Sequence, residues 1–325
     1  MIAIRRLNCF DYPKLKKLVS YLCNDETDKL TNSLYEQPLG LLNAILPLKC
    51  KFKSESFIII ENNEILGLTT VATTAGNPYK INITRLIFKE NRYDIGKHLV
   101  DFVIQKLAGK GANTFTVTID ESYEELFDLF INGCGFRQCS SEVLWKKEKP
   151  VPVKTDFLWR YAQNYDAEDI AELYNSEILS IYKSSLIRNS GEFKQPFFQG
   201  FRNFNKVRYV HEYNNKIIGY FSISTEDNTN YILDFTLNSG YEFDYTEIIN
   251  KMFCDIASKK RAFYPLIKQK NYMQNYEKLG EYLKQNNYIP IQTKHILVKD
   301  FYQEIKVPSR DWKVFILGEN QINAG

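Results

Sequence analysis

The sequence predicts an α/β (α+β) protein made of two similar halves, and three observations point to this class. Short β-branched and aromatic runs alternate with longer segments whose apolar residues recur at helical spacing. The chain has 325 residues, which favours two domains over one. The pattern of residues 57–67 recurs at 209–219, each time with an Asn-Asn turn and a following glycine. A repeat of roughly 150 residues indicates two related domains rather than a solenoid.

The composition argues against several function classes. Forty-two basic and 39 acidic residues leave a net charge of +3, so no global charge draws the protein towards nucleic acid or anionic lipid. No apolar run approaches the roughly 18 residues of a membrane span, and the first residues contain no secretory apolar core. The six cysteines form no Cys-x-x-Cys pair and only three histidines are present. We therefore expect a cytoplasmic protein with buried free thiols and no metal site.

The first half shows ten predicted segments in a defined order. Asn62 and Asn63 tolerate the positive φ that a tight hairpin requires, and Gly109 ends the longest helix. The segments are strand 5–8, a helix from Asp11 to 22, a less regular segment 31–48, hairpin strands 56–60 and 64–71, strand 84–88, a helix from Ile95 to 108, strand 113–119, helix 121–132 and strand 142–147.

The second half repeats this plan more weakly. Asp166 and Asp169 form a capping-box-like helix start, and the pair Asn287-Tyr288 stands where the first half has Gly135-Phe136. The matching segments are 160–174, hairpin 209–219, strand 231–237, helix 246–257 and helix 276–285. The proline-rich stretch 149–152 predicts a boundary, which gives domains 1–149 and 153–306 and a tail 307–325 with one strand at 313–317.

The strand, turn and helix over residues 84–107 form the strongest candidate for binding. A strand that turns directly into a helix leaves the first helical N–H groups free, and the positive end of the helix dipole attracts anions. Gly96 has no Cβ and would let a phosphate group approach the backbone. Asp94 opposes this, because a carboxylate about 4 Å from a phosphate costs roughly 1 to 4 kcal/mol. The alternative is that Asp94 only caps a helix that binds nothing.

The stretch IFKENRYDIGKHLV resembles motif A of the GNAT superfamily of acetyl-CoA-dependent acyltransferases. Gly96 matches the last glycine of that motif, whereas Asn91 replaces the usual Arg or Gln and Asp94 replaces the middle glycine. The order of the elements and the Gly135-Phe136 pair are also similar to the family. The resemblance covers nearly the whole chain and implies a tandem GNAT protein whose two domains each contain a mixed, mostly antiparallel sheet flanked by helices. The implied coenzyme site comprises Leu86, Ile87, Phe88, Asn91, Arg92, Tyr93, Asp94, Ile95, Gly96 and Lys97.

The resemblance also implies a reaction, acyl transfer from acetyl-CoA as co-substrate to an amine of a small molecule or peptide. The tyrosine that often serves as the acid in this family is absent, because its position is occupied by Ile131. In the second half Leu283 stands at the matching place, with Tyr282 one residue away.

Three residues near the end of strand 113–119 are the catalytic candidates. Asp120 and Glu121 are candidates for the base, because open α/β sheets place ligands at the carboxyl ends of strands. Tyr123 is a further candidate for the acid. The alternative is that Asp120 caps the next helix and Glu121 lies in its first turn.

The second half is expected to have lost its coenzyme site. Its turn brings Glu242, Asp244 and Glu247 to the place where phosphates would lie. Three hypotheses remain at this stage: an acetyltransferase that uses the first-half site and holds substrate partly through the second half, a non-catalytic relative that binds acyl-CoA or another ligand, and a protein-interaction role. The identity of the acyl acceptor is left open, and a homodimer is one option for the oligomeric state.

Overall fold

A computed structural model describes residues 2–11, 13–15, 54–88, 92–148, 152–195, 205–225, 229–258 and 263–301. Four predictions fall outside these ranges. They are most of the helix after Asp11, the segment 31–48, the tail strand 313–317 and the coenzyme candidate Asn91.

Twelve described strands form one mixed sheet. Two pairings of the described strands are parallel, β4 with β5 and β10 with β11, and the other pairings are antiparallel. The predicted mixed, mostly antiparallel sheet is therefore confirmed. The strands are β1 Ala3–Arg6, β2 Ser54–Glu61, β3 Glu64–Thr74, β4 Asn77–Phe88, β5 Thr114–Asp120, β6 Arg137–Lys146, β7 Arg160–Tyr161, β8 Asn205–Tyr213, β9 Lys216–Thr225, β10 Asn230–Leu237, β11 Tyr264–Lys270 and β12 Ile289–Asp300.

The strand order shows that the two halves exchange their last strands. The order is β1-β2-β3-β4-β5-β12-β6-β11-β10-β9-β8-β7, which reads the same from either end when each first-half strand is exchanged for its second-half equivalent. Strand β12 lies between β5 and β6, and β6 lies between β12 and β11. Each half therefore pairs its fifth strand with the last strand of the other half, and the sheet is continuous across the predicted domain boundary.

Helices cover the sheet and enclose three main cores. Helix α1 (Tyr93–Ala108) and the shorter α2 (Glu124–Asp128), which continues as a π-helical turn over Leu129–Gly133, cover the first half. Their apolar faces pack with buried residues of β4 and β5 such as Phe115. The second half has α3 Ala167–Ser176, α4 Ser180–Leu186, α5 Tyr245–Ala257 and α6 Tyr276–Gln285. None of the helices in the described ranges is long and apolar enough to cross a membrane.

The repeat is visible at the level of single contacts. Arg5 pairs with Asp11 at 2.6 Å, and Arg160 pairs with Asp166 at 2.7 Å, with the same spacing along the chain. Both Asn-Asn hairpin turns have positive φ at both residues, as the sequence predicts. The two halves therefore share local devices as well as topology.

Several predicted boundaries were wrong. Strand β4 begins at Asn77, not at 84, because its first half is largely polar and shows no clear apolar alternation. Helix α2 begins at Glu124, not at 121, because residues 121–123 form a turn held by Asp120. The capping box that involves Asp166 is completed by Gln163 rather than by Asp169. Strands β11 and β12 and helix α4 were not predicted.

Candidate functional site

A cleft opens in the first half where two parallel strands diverge. Strands β4 and β5 pair only from Lys80 with Thr114 to Ile83 with Val117. Beyond Ile83 their carboxyl-terminal parts separate. Strand β5 remains paired with β12 on its other side up to Asp120, so the gap lies between β4 and β5 only.

A β-bulge coincides with the start of this divergence. Thr70 of β3 pairs with Arg85 and the next residue, Val71, pairs with Ile83, so Thr84 is the extra residue. Bulges bend a strand and increase its local twist. The bulge at Thr84 therefore turns the end of β4 away from β5.

The cleft has a volume of about 420 Å³. Its wall combines apolar side chains from the first-half core with polar groups near the strand ends, and β12 of the second half contributes two residues. The lining comprises Ile83, Thr84, Arg85, Leu86, Val117, Thr118, Ile119, Asp120, Tyr123, Leu126, Phe130, Gln292 and Lys294. Gln292 and Lys294 were not predicted.

Asp120 lies in the cleft wall and is already hydrogen-bonded. Its Oδ1 accepts from the backbone N–H of Ser122 at 3.0 Å and from the Ser122 hydroxyl at 2.7 Å, and its Oδ2 accepts from Gln292. Burial raises the pKa of Asp120, but these hydrogen bonds, together with the nearby charge of Lys294, outweigh it and hold the pKa below its ordinary value. The carboxylate is therefore ionised at neutral pH and is a poor proton acceptor.

The other two catalytic candidates lie in different places. The Tyr123 side chain lines the cleft and is 59% exposed. Glu121 is exposed, does not line the cleft, and donates its backbone N–H to the Thr293 carbonyl at 2.9 Å. The alternative in which Asp120 caps α2 was wrong, because Tyr123 is the N-cap residue of that helix.

Helix α1 begins at the end of β4, as the sequence predicts, but its cap differs from the expectation. Arg92 is the N-cap residue, and its side chain makes no cap hydrogen bond. Instead, Nε and Nη2 of Arg92 each donate to a different oxygen of Asp94 at 3.1 Å. The side-chain hydrogen bond from Arg92 lowers the pKa of Asp94. Asp94 thus has an adjacent counter-charge in an exposed ion pair.

Gly96 serves the packing of α1 against the sheet. A Cβ on Gly96 would lie 2.7 Å from Cε1 of Phe88, closer than real Cβ contacts, and 3.1 Å from Cδ2 of Leu129, which is tight. The absent side chain leaves room for the Phe88 ring, which also makes an edge contact with Tyr93 at 5.5 Å between ring centroids.

A second, more open cavity of about 520 Å³ lies between the start of α1 and α2. Lys97 reaches across it and donates to the Gly133 carbonyl at 2.6 Å while pairing with Asp101 at 2.8 Å. The other charged residues in its lining are acidic: Asp94, Glu124, Glu125 and Asp128. In the part of the chain that the structure covers, no three His, Cys, Asp or Glu side chains are grouped to hold a metal ion.

The equivalent cleft of the second half is almost closed. Its volume is about 30 Å³. Lys270 of β11 forms an ion pair with Asp234 at 2.7 Å and donates to the Thr236 hydroxyl at 3.2 Å, and both partners belong to β10. Strand β10 also keeps a continuous register with β9, without the bulge of β4. Lys270 therefore ties β11 to β10 at the level where β5 and β4 have separated.

The residues at or beside the position of the tyrosine that often serves as the acid in GNAT enzymes do not line either cleft. Ile131 lies in the π-helical turn and packs against the first core. Leu283 is fully buried. The hydroxyl of Tyr282 donates to Thr246 at 3.2 Å, at the start of α5. Asp244, one of the carboxylates expected to exclude phosphates from the second-half turn, is the N-cap residue of α5 and accepts from the Thr246 N–H at 2.7 Å.

Comparison of the whole structure with solved structures shows the same two-half arrangement. No protein-family profile and no curated protein sequence matches the chain. A tandem GNAT protein from the clavulanic acid biosynthesis pathway, solved without AcCoA, aligns with a TM-score of 0.58 at 12% identity over 92% of this chain and 98% of its own. The chain has the tandem GNAT fold.

Two further solved structures are similar to this chain over most of its length. A GCN5-related N-acetyltransferase from Sphaerobacter thermophilus aligns with a TM-score of 0.56 at 10% identity, covering 92% of this chain and 95% of its own. A GCN5-related N-acetyltransferase from Anabaena variabilis aligns with a TM-score of 0.51 at 10% identity, covering 92% and 73%. The sequence resemblance to the GNAT superfamily is thus confirmed as a tandem GNAT fold.

Proposed function

We propose that the protein is an acyltransferase that transfers an acetyl group from acetyl-CoA to an amine in the first-half cleft. The observation that carries the proposal is the asymmetry between the two clefts. The first has about 420 Å³ between the separated ends of β4 and β5, whereas its second-half equivalent has about 30 Å³. A non-catalytic scaffold has no need of one open cleft at the strand ends, where α/β folds bind ligands.

The residues of the first half fit acetyl-CoA in two places. The gap beyond Ile83 leaves the β5-facing edge of β4 without strand pairing, which suits an extended pantetheine arm. The turn before α1 offers the helix N-terminus to a pyrophosphate. The Arg92–Asp94 pair weakens the repulsion that the Asp94 carboxylate would otherwise exert. Leu86, Ile87, Phe88, Arg92, Tyr93 and Lys97 would form this side of the site, while Asn91 lies outside the described residues.

The chemistry places modest demands on the side chains. Acetyl-CoA supplies a thioester carbon, to which the amine nitrogen is joined while the carbon–sulfur bond breaks. Backbone N–H groups of β4 beyond Ile83 would polarise the thioester carbonyl. Tyr123 is the candidate to protonate the leaving thiolate, because its side chain lines the cleft. Asp120 is better suited to hold an ammonium group than to remove a proton, since its pKa lies below the ordinary value. The proton of the amine would then leave through water.

A cleft-filling variant tests the proposal. Thr118 lines the cleft and is exposed on β5, so Thr118→Trp fills the cleft without entering the core. We expect wild type to bind acetyl-CoA in calorimetric titration and Thr118→Trp to bind at least ten times more weakly, with unchanged thermal stability. Thr118→Ser is the matched control and should bind like wild type.

Two outcomes separate the alternatives. Binding that is equal in Thr118→Trp and wild type, or absent from wild type, would exclude this cleft as the coenzyme site. Binding of acetyl-CoA without release of free thiol in the presence of any amine would instead identify a non-catalytic acyl-CoA-binding relative.

A further inference from the structure

A single lysine from the second half lies in the wall of the first-half cleft. Lys294 belongs to β12, the strand that the second half inserts beside β5, and it is the cross-strand partner of Asp120. Its side chain is partly buried. Among the described residues, no ion pair or side-chain hydrogen bond of Lys294 is present. Lys294 therefore forms no direct ion pair, although its charge lies close enough to Asp120 to help lower the pKa of that carboxyl.

Asp120 does not neutralise Lys294 by direct pairing, although the two residues face each other. The oxygens of Asp120 are turned towards Ser122 and Gln292. Gln292 comes from the same strand as Lys294 and holds the carboxylate in this position. The only other lining residue with a permanent charge is Arg85, which takes part in an interaction of its own. The cleft therefore presents one anchored carboxylate and, beside it, one cation whose ammonium group is available.

We infer that the acceptor is a zwitterion, an amine that also carries an anionic group, and that Lys294 determines this specificity by binding the anion. Cross-strand partners place their Cβ atoms about 5 Å apart, so Asp120 and Lys294 offer adjoining opposite charges at one end of the cleft. The ammonium group of the acceptor faces Asp120, and a carboxylate or phosphate group of the same molecule faces Lys294. This inference rests on the proposed acyl transfer and narrows its substrate class.

Lys294 acts here as a specificity residue, because it touches the part of the substrate that does not react. An interaction present in both the bound state and the transition state lowers KM more than it raises kcat. Removal of the ammonium group should therefore appear mainly in KM for anionic acceptors. If Lys294 instead assisted the departure of the thiolate, all acceptors would be affected alike through kcat.

The experiment uses two matched pairs of acceptors with the full-length protein and acetyl-CoA. β-Alanine is compared with β-alaninamide, and 2-aminoethyl phosphate with ethanolamine, by the release of free thiol. We expect kcat/KM for at least one anionic acceptor to exceed that of its neutral partner at least tenfold. Lys294→Gln should reduce this ratio to near one through KM, whereas Lys216→Gln, an exposed lysine in the β8–β9 hairpin, should preserve it. The two anionic probes distinguish a carboxylate from a phosphate acceptor.

The opposite results overturn the inference in recognisable ways. Equal turnover of charged and neutral partners would leave acyl transfer standing and remove the zwitterionic acceptor. An equal fall of kcat for every amine in Lys294→Gln would assign the lysine to the transfer step. Calorimetric binding of acetyl-CoA without turnover of any of the four amines would also overturn the inference, and absence of binding would overturn the proposed function with it.

Discussion

Substitution of Gly96 by alanine measures whether this glycine serves packing or ligand approach. The new Cβ would lie 2.7 and 3.0 Å from two atoms of the Phe88 ring and 3.1 Å from Cδ2 of Leu129. Overpacking of this kind costs about 1–3 kcal/mol, while replacing glycine by alanine inside a helix gains about 1 kcal/mol. The balance is a decrease in the free energy of unfolding of up to about 2 kcal/mol.

Gly109, at the other end of the same helix, is the matched control. Its φ of −60° is helical, and a Cβ there would lie 3.3 Å from the Gln105 carbonyl oxygen, with the Lys106 carbonyl next at 3.7 Å. Gly109→Ala should therefore leave stability unchanged or raise it by up to about 1 kcal/mol, mainly through the unfolded chain. The two variants should move the urea midpoint in opposite directions.

The result that would refute the packing argument is a Gly96→Ala protein at least as stable as wild type. The glycine would then have to be explained by something outside the folded protein, such as a ligand that approaches the backbone. If the variant is destabilised as expected, the presence of Gly96 is no independent evidence for coenzyme binding, and the cleft must carry that argument alone.

Two further predictions concern charged groups of the second half. Arg160→Met removes the partner of Asp166, whose side chain is 3% exposed. This variant should reduce the free energy of unfolding by about 2 kcal/mol. The loss is smaller than the roughly 3–5 kcal/mol expected for a fully buried pair, because Arg160 is partly exposed. A loss below about 0.5 kcal/mol in urea unfolding would contradict it. Burial lowers the pKa of Lys206 to about 8. Between about pH 8 and 10 the lysine is therefore neutral in the folded chain and protonated in the unfolded chain. Because the unfolded state binds more protons, this group makes the free energy of unfolding rise with pH. Urea midpoints at pH 7.5 and 9.5 should show this rise in wild type and a smaller one in Lys206→Met; equal slopes would count against it.

Local structure was largely predictable from the sequence. The hairpin turn at Asn62 and Asn63 and its copy in the second half are determined by residues that tolerate positive φ, and the structure shows positive φ at all of them. The last helix, Tyr276–Gln285, was predicted with its correct bounds, because its apolar spacing and the positive φ of Asn287 after it are local signals. The argument that ligands bind at the carboxyl ends of strands led to Asp120 and Glu121, and the structure has Asp120 in the cleft wall but Glu121 outside it.

The exchange of last strands could not be predicted in this way. A strand pattern such as β12 indicates which side chains share a face, but it does not reveal which neighbour the strand will select. Gln292 contacts Asp120 across 172 positions of the chain, and Lys294 enters the cleft only because β12 pairs with β5. The sequence repeat was the one available signal for β12, since it implied that the second half also ends in a strand. It did not indicate which strands would lie beside this strand in the sheet.

The two clefts carry opposite charges at equivalent positions of the same sheet. Asp120, Lys294, Glu142 and Lys270 are successive cross-strand partners on β5, β12, β6 and β11, so the approximate two-fold axis relates Asp120 to Lys270 and Lys294 to Glu142. Each pair of equivalent positions therefore carries opposite charge. On the first side, Asp120 turns to Ser122 and Gln292, and the diverging strands remain apart.

On the second side, Lys270 reaches over to the neighbouring strand and closes the gap. Its ammonium group is buried between Asp234 and Thr236 of β10, and burial lowers the pKa of Lys270 despite the nearby Asp234. Replacing a buried ion pair by apolar residues is often neutral or stabilising, so stability alone does not account for this pair. Its structural effect is the bridge between β10 and β11, which leaves the first half as the site with room for a ligand and the second half as the source of the strand that completes it.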